Sequence, residues 1–238
     1  MTRDGPNGVE VLLGLRAPTM AAFPSYWAFP GGGVSRVDAA AVDQLPTLEG
    51  PQAKTIACIL REMSEELGLA PTEEGLVPLD DEVRKEIIQD KARYLPLALE
   101  GKVPHARSSI NVLCHRITPP FGPVQFDNAF LHYHAGSARD VPEIDLEPQT
   151  EFTDLMWEQP TVILARWAAH EIKVAPPVVT LLMEIERTLA RTERNMSLAA
   201  KDIASRLPGR RSILFAHAVS YTHLRAHETE ADLVCRLL

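Results

Sequence analysis

The run Arg61-Glu62-Met63-Ser64-Glu65-Glu66-Leu67-Gly68-Leu69 crowds three carboxylates into little more than one helical turn. Positions i, i+3 and i+4 of an α-helix share a face, so Glu62, Glu65 and Glu66 are expected to point the same way. Like charges at that spacing repel and destabilise the helix. A hard divalent cation such as Mg²⁺ cancels the repulsion, because it favours carboxylate oxygens. Upstream, Ala28-Phe29-Pro30-Gly31-Gly32-Gly33 forms a glycine loop whose bare backbone can approach a metal or a phosphate. The bland alternative is a solvated acidic helix face, which Glu-x-x-Glu-Glu alone would suggest.

The elements that must position these groups are legible around them. Gly50-Pro51 is placed to open the helix and Gly68 to close it as a left-handed cap. Ile56, Leu60, Met63 and Leu67 form an apolar stripe that faces a core and leaves the glutamates on another side. Val9 to Arg16 reads as a strongly apolar strand, and Tyr26 to Phe29 as a short one that delivers the glycine loop. Asp80 to Leu99 is helical in pattern, with Val83, Ile87, Lys91 and Tyr94 near one face. Ser109 to Ile117 and Asn128 to His134 alternate as strands joined by a turn over 118–123, and Asp154 to Trp157 is a last short strand. Helices are expected over Gln159 to His170 and Pro177 to Arg191. Strands interleaved with helices give an α+β class, an α/β/α sandwich with a mixed sheet between helices.

With Arg61, Gly68 and the glycine loop in place, the chain resembles the Nudix hydrolases. Their box runs Gly, five residues, Glu, seven residues, then Arg-Glu-U-x-Glu-Glu-x-Gly-U, where U is a bulky aliphatic. Arg61, Glu62, Met63, Glu65, Glu66, Gly68 and Leu69 meet the second half. The first half starts at Gly32, Asp38 stands where the family has Glu, and an insertion of Ala39 to about Pro51 separates the halves. A second, helical insertion of about 73–104 lies outside a minimal Nudix core and could cap a cleft.

The resemblance implies metal-dependent hydrolysis of a nucleoside diphosphate linked to another moiety, with Mg²⁺ or Mn²⁺ as cofactor. It assigns Glu62 and Glu66 as metal ligands, Glu65 as a further ligand, direct or through water, and the Gly31 carbonyl as an additional oxygen donor. Arg61 orients the glutamates, and Arg16, Gly32 and Gly33 are the substrate-binding positions. Two sources of the general base stay open, Glu62 acting through water or a carboxylate between Asp140 and Glu151.

Further stretches resemble the peroxisomal coenzyme A diphosphatase branch. They are Thr118-Pro119-Pro120 with Gln125 to Phe130, Glu151 with Met156-Trp157 and Pro160, and Ala175-Pro176-Pro177. Coenzyme A or an acyl-coenzyme A is the implied substrate, and ADP-ribose or a dinucleotide the alternative. Arg16, in Leu12-Leu13-x-x-Arg16, suits a nucleotide 3′-phosphate or, equally, a structural pairing with a carboxylate at the core edge. A non-catalytic Nudix binding or regulatory module is the reading from another class. Such modules usually lose a box glutamate, and here all are kept.

A net charge of −8 and a pI near 5.5 over 238 residues argue against a nucleic-acid polymer for want of a basic stripe, and the resemblance implies a small-molecule nucleotide as the partner. Cys58, Cys114 and Cys235 have neither paired nor zinc-like spacing, which points to a reducing compartment. No apolar run spans a bilayer and no signal peptide leads the chain, so a cytoplasmic location without membrane contact is expected. A homodimer is an assembly open to such a domain. Residues 1–218 are read as one domain, with Met1 an internal methionine of a longer frame. Residues 219–238 are similar to a translated sequencing adapter and are set aside as a non-native tail, so His217, His223 and His227 are not read as a metal site.

Overall fold

The computed structural model describes the chain except residues 108–109, 118–125, 208–211, 214–231 and 238, and only backbone for Phe126, 212–213 and 232–237. The expected turn at 118–123, the Thr118 to Gln125 part of the branch resemblance, and 219–231 of the tail lie outside the described residues.

The chain opens with a hairpin, β1 (Thr2–Gly5) and β2 (Gly8–Arg16). Strand β2 is buried on both faces because cores lie on both sides of it. Leu12 joins one apolar cluster, and Val9, Val11 and Leu13 join the other. Val11 pairs with Thr2 of β1 on one side and with Glu158 of β8 (Phe152–Glu158) on the other. Leu15 likewise lies between Trp27 of β3 (Trp27–Ala28) and Asp154 of β8. Strands β1 and β3 therefore follow one another along one edge of β2.

Helix α1 (Arg36–Gln44) and helix α2 (Ala53–Glu62) come next, and α2 runs into a π-helical turn at Met63–Leu67. A small hairpin follows, β4 (Leu69–Pro71) with β5 (Leu76–Pro78), then α3 (Asp81–Gln89), a 3₁₀ turn at Lys91–Arg93, and α4 (Tyr94–Leu99). Strand β6 (Ile110–Ile117) pairs antiparallel with β7 (Phe126–Ser137). Strand β1 pairs in parallel with the end of β7, which makes the sheet mixed. After β8 come α5 (Pro160–Ala168), α6 (Pro176–Leu189) and α7 (Met196–Arg206). Strand β9 (Ser212–Ile213) joins β6, and β10 (Asp232–Leu237) runs parallel to the first half of β7. Thus 232–237, part of the stretch set aside as a tail, is placed as a strand of the sheet.

One face of the sheet packs against α1, α2, the π turn and α4, and the other against α5, α6 and α7. This is the sandwich expected. The differences are local. Helix α2 starts at Ala53, because Gly50 to Gln52 form a turn closed by the Ala53 N–H on the Gly50 carbonyl. The first insertion continues helix α1 from its start at Arg36, with Ala41, Leu45 and Leu48 in the core. Asp80 to Leu99 is broken at Asp90, whose side chain caps the 3₁₀ turn, and this rotates Lys91 into solvent. Helix α7 had not been anticipated.

The second insertion contributes side chains to the core. Ile87, Tyr94, Leu95, Leu97 and Val103 share the cluster of Ile56, Leu60, Met63 and Leu67. Ile87→Ala should therefore lower unfolding free energy by roughly 2–5 kcal/mol. Urea denaturation measures this, and a loss under about 0.5 kcal/mol, typical of a surface site, would contradict it.

Candidate active site

The apolar stripe fixes the orientation of α2, since Ile56, Leu60, Met63 and Leu67 are all buried against the sheet. Gly68 ends the helical run at φ 63°, donating its N–H to the Met63 carbonyl. That i to i+5 closure makes the last turn π-helical, a widening that recurs at functional sites. The glutamates therefore do not keep the α-helical spacing expected. Glu65 turns back to Arg61 and Glu66 crosses to the glycine loop.

Arg61, 2% exposed, is the hub. Its Nε donates to Asp38 Oδ1 at 2.8 Å and its Nη2 to Asp38 Oδ2 at 3.2 Å, a bidentate pair. Its Nη2 also meets Glu62 Oε1 at 2.9 Å and the Gly33 carbonyl at 3.3 Å, and its Nη1 donates to Glu65 Oε2 at 2.9 Å. Asp38 is held in turn. Its Oδ2 accepts from the Ser35 N–H at 2.6 Å and the Ser35 hydroxyl at 2.9 Å, the arrangement that starts α1. The shorter acid thus reaches Arg61 because a helix start carries it there, across the insertion.

The glycine loop lies on these groups. The Gly31 N–H donates to Glu66 Oε2 at 2.6 Å, and Gly31 has φ 131°, which favours glycine. A Cβ at Gly32 would overlap the Glu62 carboxylate, so only glycine permits that approach. Cys58, buried beneath, donates its Sγ to the Gly32 carbonyl at 3.8 Å.

Burial pushes the Glu62 carboxyl up to about 7; Arg61 opposes the rise, and the charges of Glu65 and Glu151 add to it. Glu65 is raised as well, chiefly by burial and against the pull of Arg61. Burial tends to lower the Arg61 guanidinium, but the Asp38 hydrogen bond and the charges of Glu62, Glu65 and Asp38 outweigh it. One cation thus faces more acidic groups than it can neutralise. Among the described residues Glu65 Oε1 is buried with no hydrogen-bond partner, as is the Tyr94 hydroxyl of α4, whose ionisation is opposed chiefly by burial and also feels Asp38, Arg61 and Glu65.

These donors fit a divalent cation in chemistry, being hard oxygens with excess negative charge and an orphaned carboxylate oxygen. They do not converge in advance. Among the described residues no group of three His, Cys, Asp or Glu side chains is gathered to hold a metal. Arg61 and the Gly31 N–H hold the carboxylates instead.

The structure brings Arg61, Glu62, Glu65, Glu66, Gly31, Gly32 and Gly33 together. Arg16 is buried and its Nε donates to the Ala22 carbonyl at 2.8 Å, tying β2 to the loop before β3. Two neighbours were not foreseen. The helical pattern places Tyr94 near one face without marking it for this site. Arg84 donates to backbone carbonyls of the π-helical turn, and no sequence pattern distinguishes it from an exposed helix arginine.

No family model and no curated protein matches the chain. Among solved structures it is similar to a NUDIX hydrolase from Alicyclobacillus acidocaldarius, with 23% identity, coverage of 84% of this chain and 91% of that one, and a TM-score of 0.68. That likeness shows that the chain has the fold of that hydrolase.

The raised Glu62 carboxyl has a consequence for stability. Between 4.5, its ordinary value, and about 7, the folded chain holds a proton that the unfolded chain has released. Stability of the metal-free protein should accordingly fall as pH rises through that window. Glu62→Gln should flatten the fall. Denaturation in chelator across the window checks this, and identical slopes for both proteins would refute it.

Proposed function

We propose that this chain is a divalent-metal-dependent hydrolase that cleaves the diphosphate of a nucleoside diphosphate linked to a second moiety. The observation that carries this is the buried cluster in which Asp38, Glu62 and Glu65 crowd Arg61 while Glu66 is clamped to the glycine loop. A stability role alone would not favour so much uncompensated acid in one place. Glu62, Glu65, Glu66 and the Gly31 carbonyl would hold Mg²⁺ or Mn²⁺. The bound ion would supply charge neutralisation on the phosphates and polarise the phosphoryl oxygens.

The chain's own groups do the rest. Arg61 and Asp38 keep the glutamates in place from behind. Gly32 and Gly33 let backbone come close to the diphosphate oxygens. Among the carboxylates between Asp140 and Glu151, the charge of Glu151 acts on both Glu62 and Glu65. We assign it the proton of the attacking water.

For the substrate we favour coenzyme A or an acyl-coenzyme A, on the resemblance carried by Met156-Trp157, Pro160 and Ala175-Pro176-Pro177. ADP-ribose or a dinucleotide is the competitor, and the Ala22 contact of Arg16 favours it by engaging the cation meant for a 3′-phosphate. The partner is a small nucleotide rather than a nucleic-acid polymer, in keeping with the net charge of −8. Among the described residues no helix is long and apolar enough to cross a membrane; we place the protein in the cytoplasm.

Phosphatase-coupled release from a nucleotide panel with Mg²⁺ tests the reaction. Glu66→Gln keeps the shape of the side chain but removes charge that a hard cation needs, so activity should be abolished with the fold intact. A loss within about tenfold, ~1.4 kcal/mol of barrier, would refute the ligand assignment.

The 3′-phosphate separates the substrates. Coenzyme A should be cleaved with higher kcat/KM than dephospho-coenzyme A if a cationic partner awaits that group. Equal values would remove 3′-phosphate recognition, and a higher value for ADP-ribose would hand the assignment to the competitor.

A further inference from the structure

Helix α3 sends one side chain under the catalytic turn. Arg84 is buried at 4% exposure, and its described hydrogen bonds all go to backbone carbonyls. Its Nε and Nη2 donate to the Glu65 carbonyl at 3.3 and 3.2 Å, and its Nη2 to the Glu66 carbonyl at 3.0 Å. Its Nη1 donates to the carbonyls of Asp145 at 2.7 Å and Glu147 at 2.8 Å. The planar fork thus uses its full set of N–H donors on two separate segments.

On one side it satisfies carbonyls at the end of the catalytic helix, where the helix dipole is negative and three glutamates already sit. On the other it grips the acidic stretch ahead of β8. That stretch continues through hydrogen bonds of its own. The Glu147 N–H donates to Asp145 Oδ1, and the Gln149 side chain accepts from the N–H groups of Glu151 and Phe152. Gly68 makes room for the fork, since a Cβ there would lie 2.9 Å from Nη1 and 3.0 Å from Cδ of Arg84.

We infer that Arg84 is a positioning residue, which fixes the acidic loop 145–151, and with it Glu151, against the turn that carries Glu65 and Glu66. The inference rests on the hydrolase reading for its catalytic consequence, but the coupling of loop to turn is separable from it. A second insertion that is absent from a minimal box thereby helps to build the site.

The test compares full-length wild type, Arg84→Lys and Arg84→Ala. Lysine keeps the charge but cannot bridge both segments, and it guards against an alanine variant that does not fold. Amide hydrogen exchange at Glu147 and Glu151 should accelerate by about tenfold or more in Arg84→Lys, with α6 unchanged. With the panel's best substrate, kcat should fall by about a hundredfold, the scale of a small misplacement, while KM stays within about threefold. Methylguanidinium should restore part of kcat to Arg84→Ala. Unchanged exchange at Glu147 and Glu151 would overturn the inference, and so would a kcat held at the wild-type value. If wild type hydrolyses nothing on the panel, the hydrolase reading fails while the exchange result still decides whether Arg84 holds the loop.

Discussion

Burying a guanidinium is costly unless its donors are met, and at Arg61 they are met by three acids from three positions in the chain. The arrangement of the site follows from that requirement. Asp38 must be delivered to Nε and Nη2, so α1 must start where it does and lie along α2. Glu65 must turn back toward Nη1, and the π-helical closure at Gly68 accompanies that turn. The glycine loop is drawn in by Gly33 on Nη2 and by Gly31 on Glu66. Removing the arginine would leave buried carboxylates repelling one another without the countercharge that holds them together.

Much of this was legible because charge spacing and glycine placement have few alternative uses. Glu62, Glu65, Glu66 and Gly68 on a helix backed by Ile56, Leu60, Met63 and Leu67 could be read directly, and the four apolar residues lie in the core as the pattern required, while the π turn sends Glu65 and Glu66 to different partners. The alternating and apolar runs gave β2, β3, β6, β7 and β8 within a few residues, but not β4, β5, β9 or β10. What could not be read depends on contacts between segments distant in sequence. Nothing local in Met63 to Leu67 distinguishes a π turn from an α turn. Arg84 resembles any solvent-facing arginine until Asp145 and Glu147 are folded against it.

The insertions illustrate the same limit. Proline and glycine around Pro46 to Pro51 signal a loop, and most of those residues are exposed, but Leu48 is anchored in the core. The pattern over Asp80 to Leu99 is helical throughout. Asp80 and Asp90 each cap a following turn, and the bend between them carries Tyr94 into the core while Lys91 stays in water. Capping chemistry, rather than apolar periodicity, decided which residues faced inward.

Because Asp38 is secured by Ser35 at the head of α1 and meets Arg61 through direct packing of α1 on α2, the connection from Leu45 to Gln52 serves to close a gap and to seat Leu45 and Leu48 in the core. The free energy of closing such a gap grows slowly with its length. Lineages can therefore lengthen or shorten this connector while the ion pair persists. A motif written as fixed intervals along the chain measures the wrong variable for this pair, whose proper ruler is separation in space.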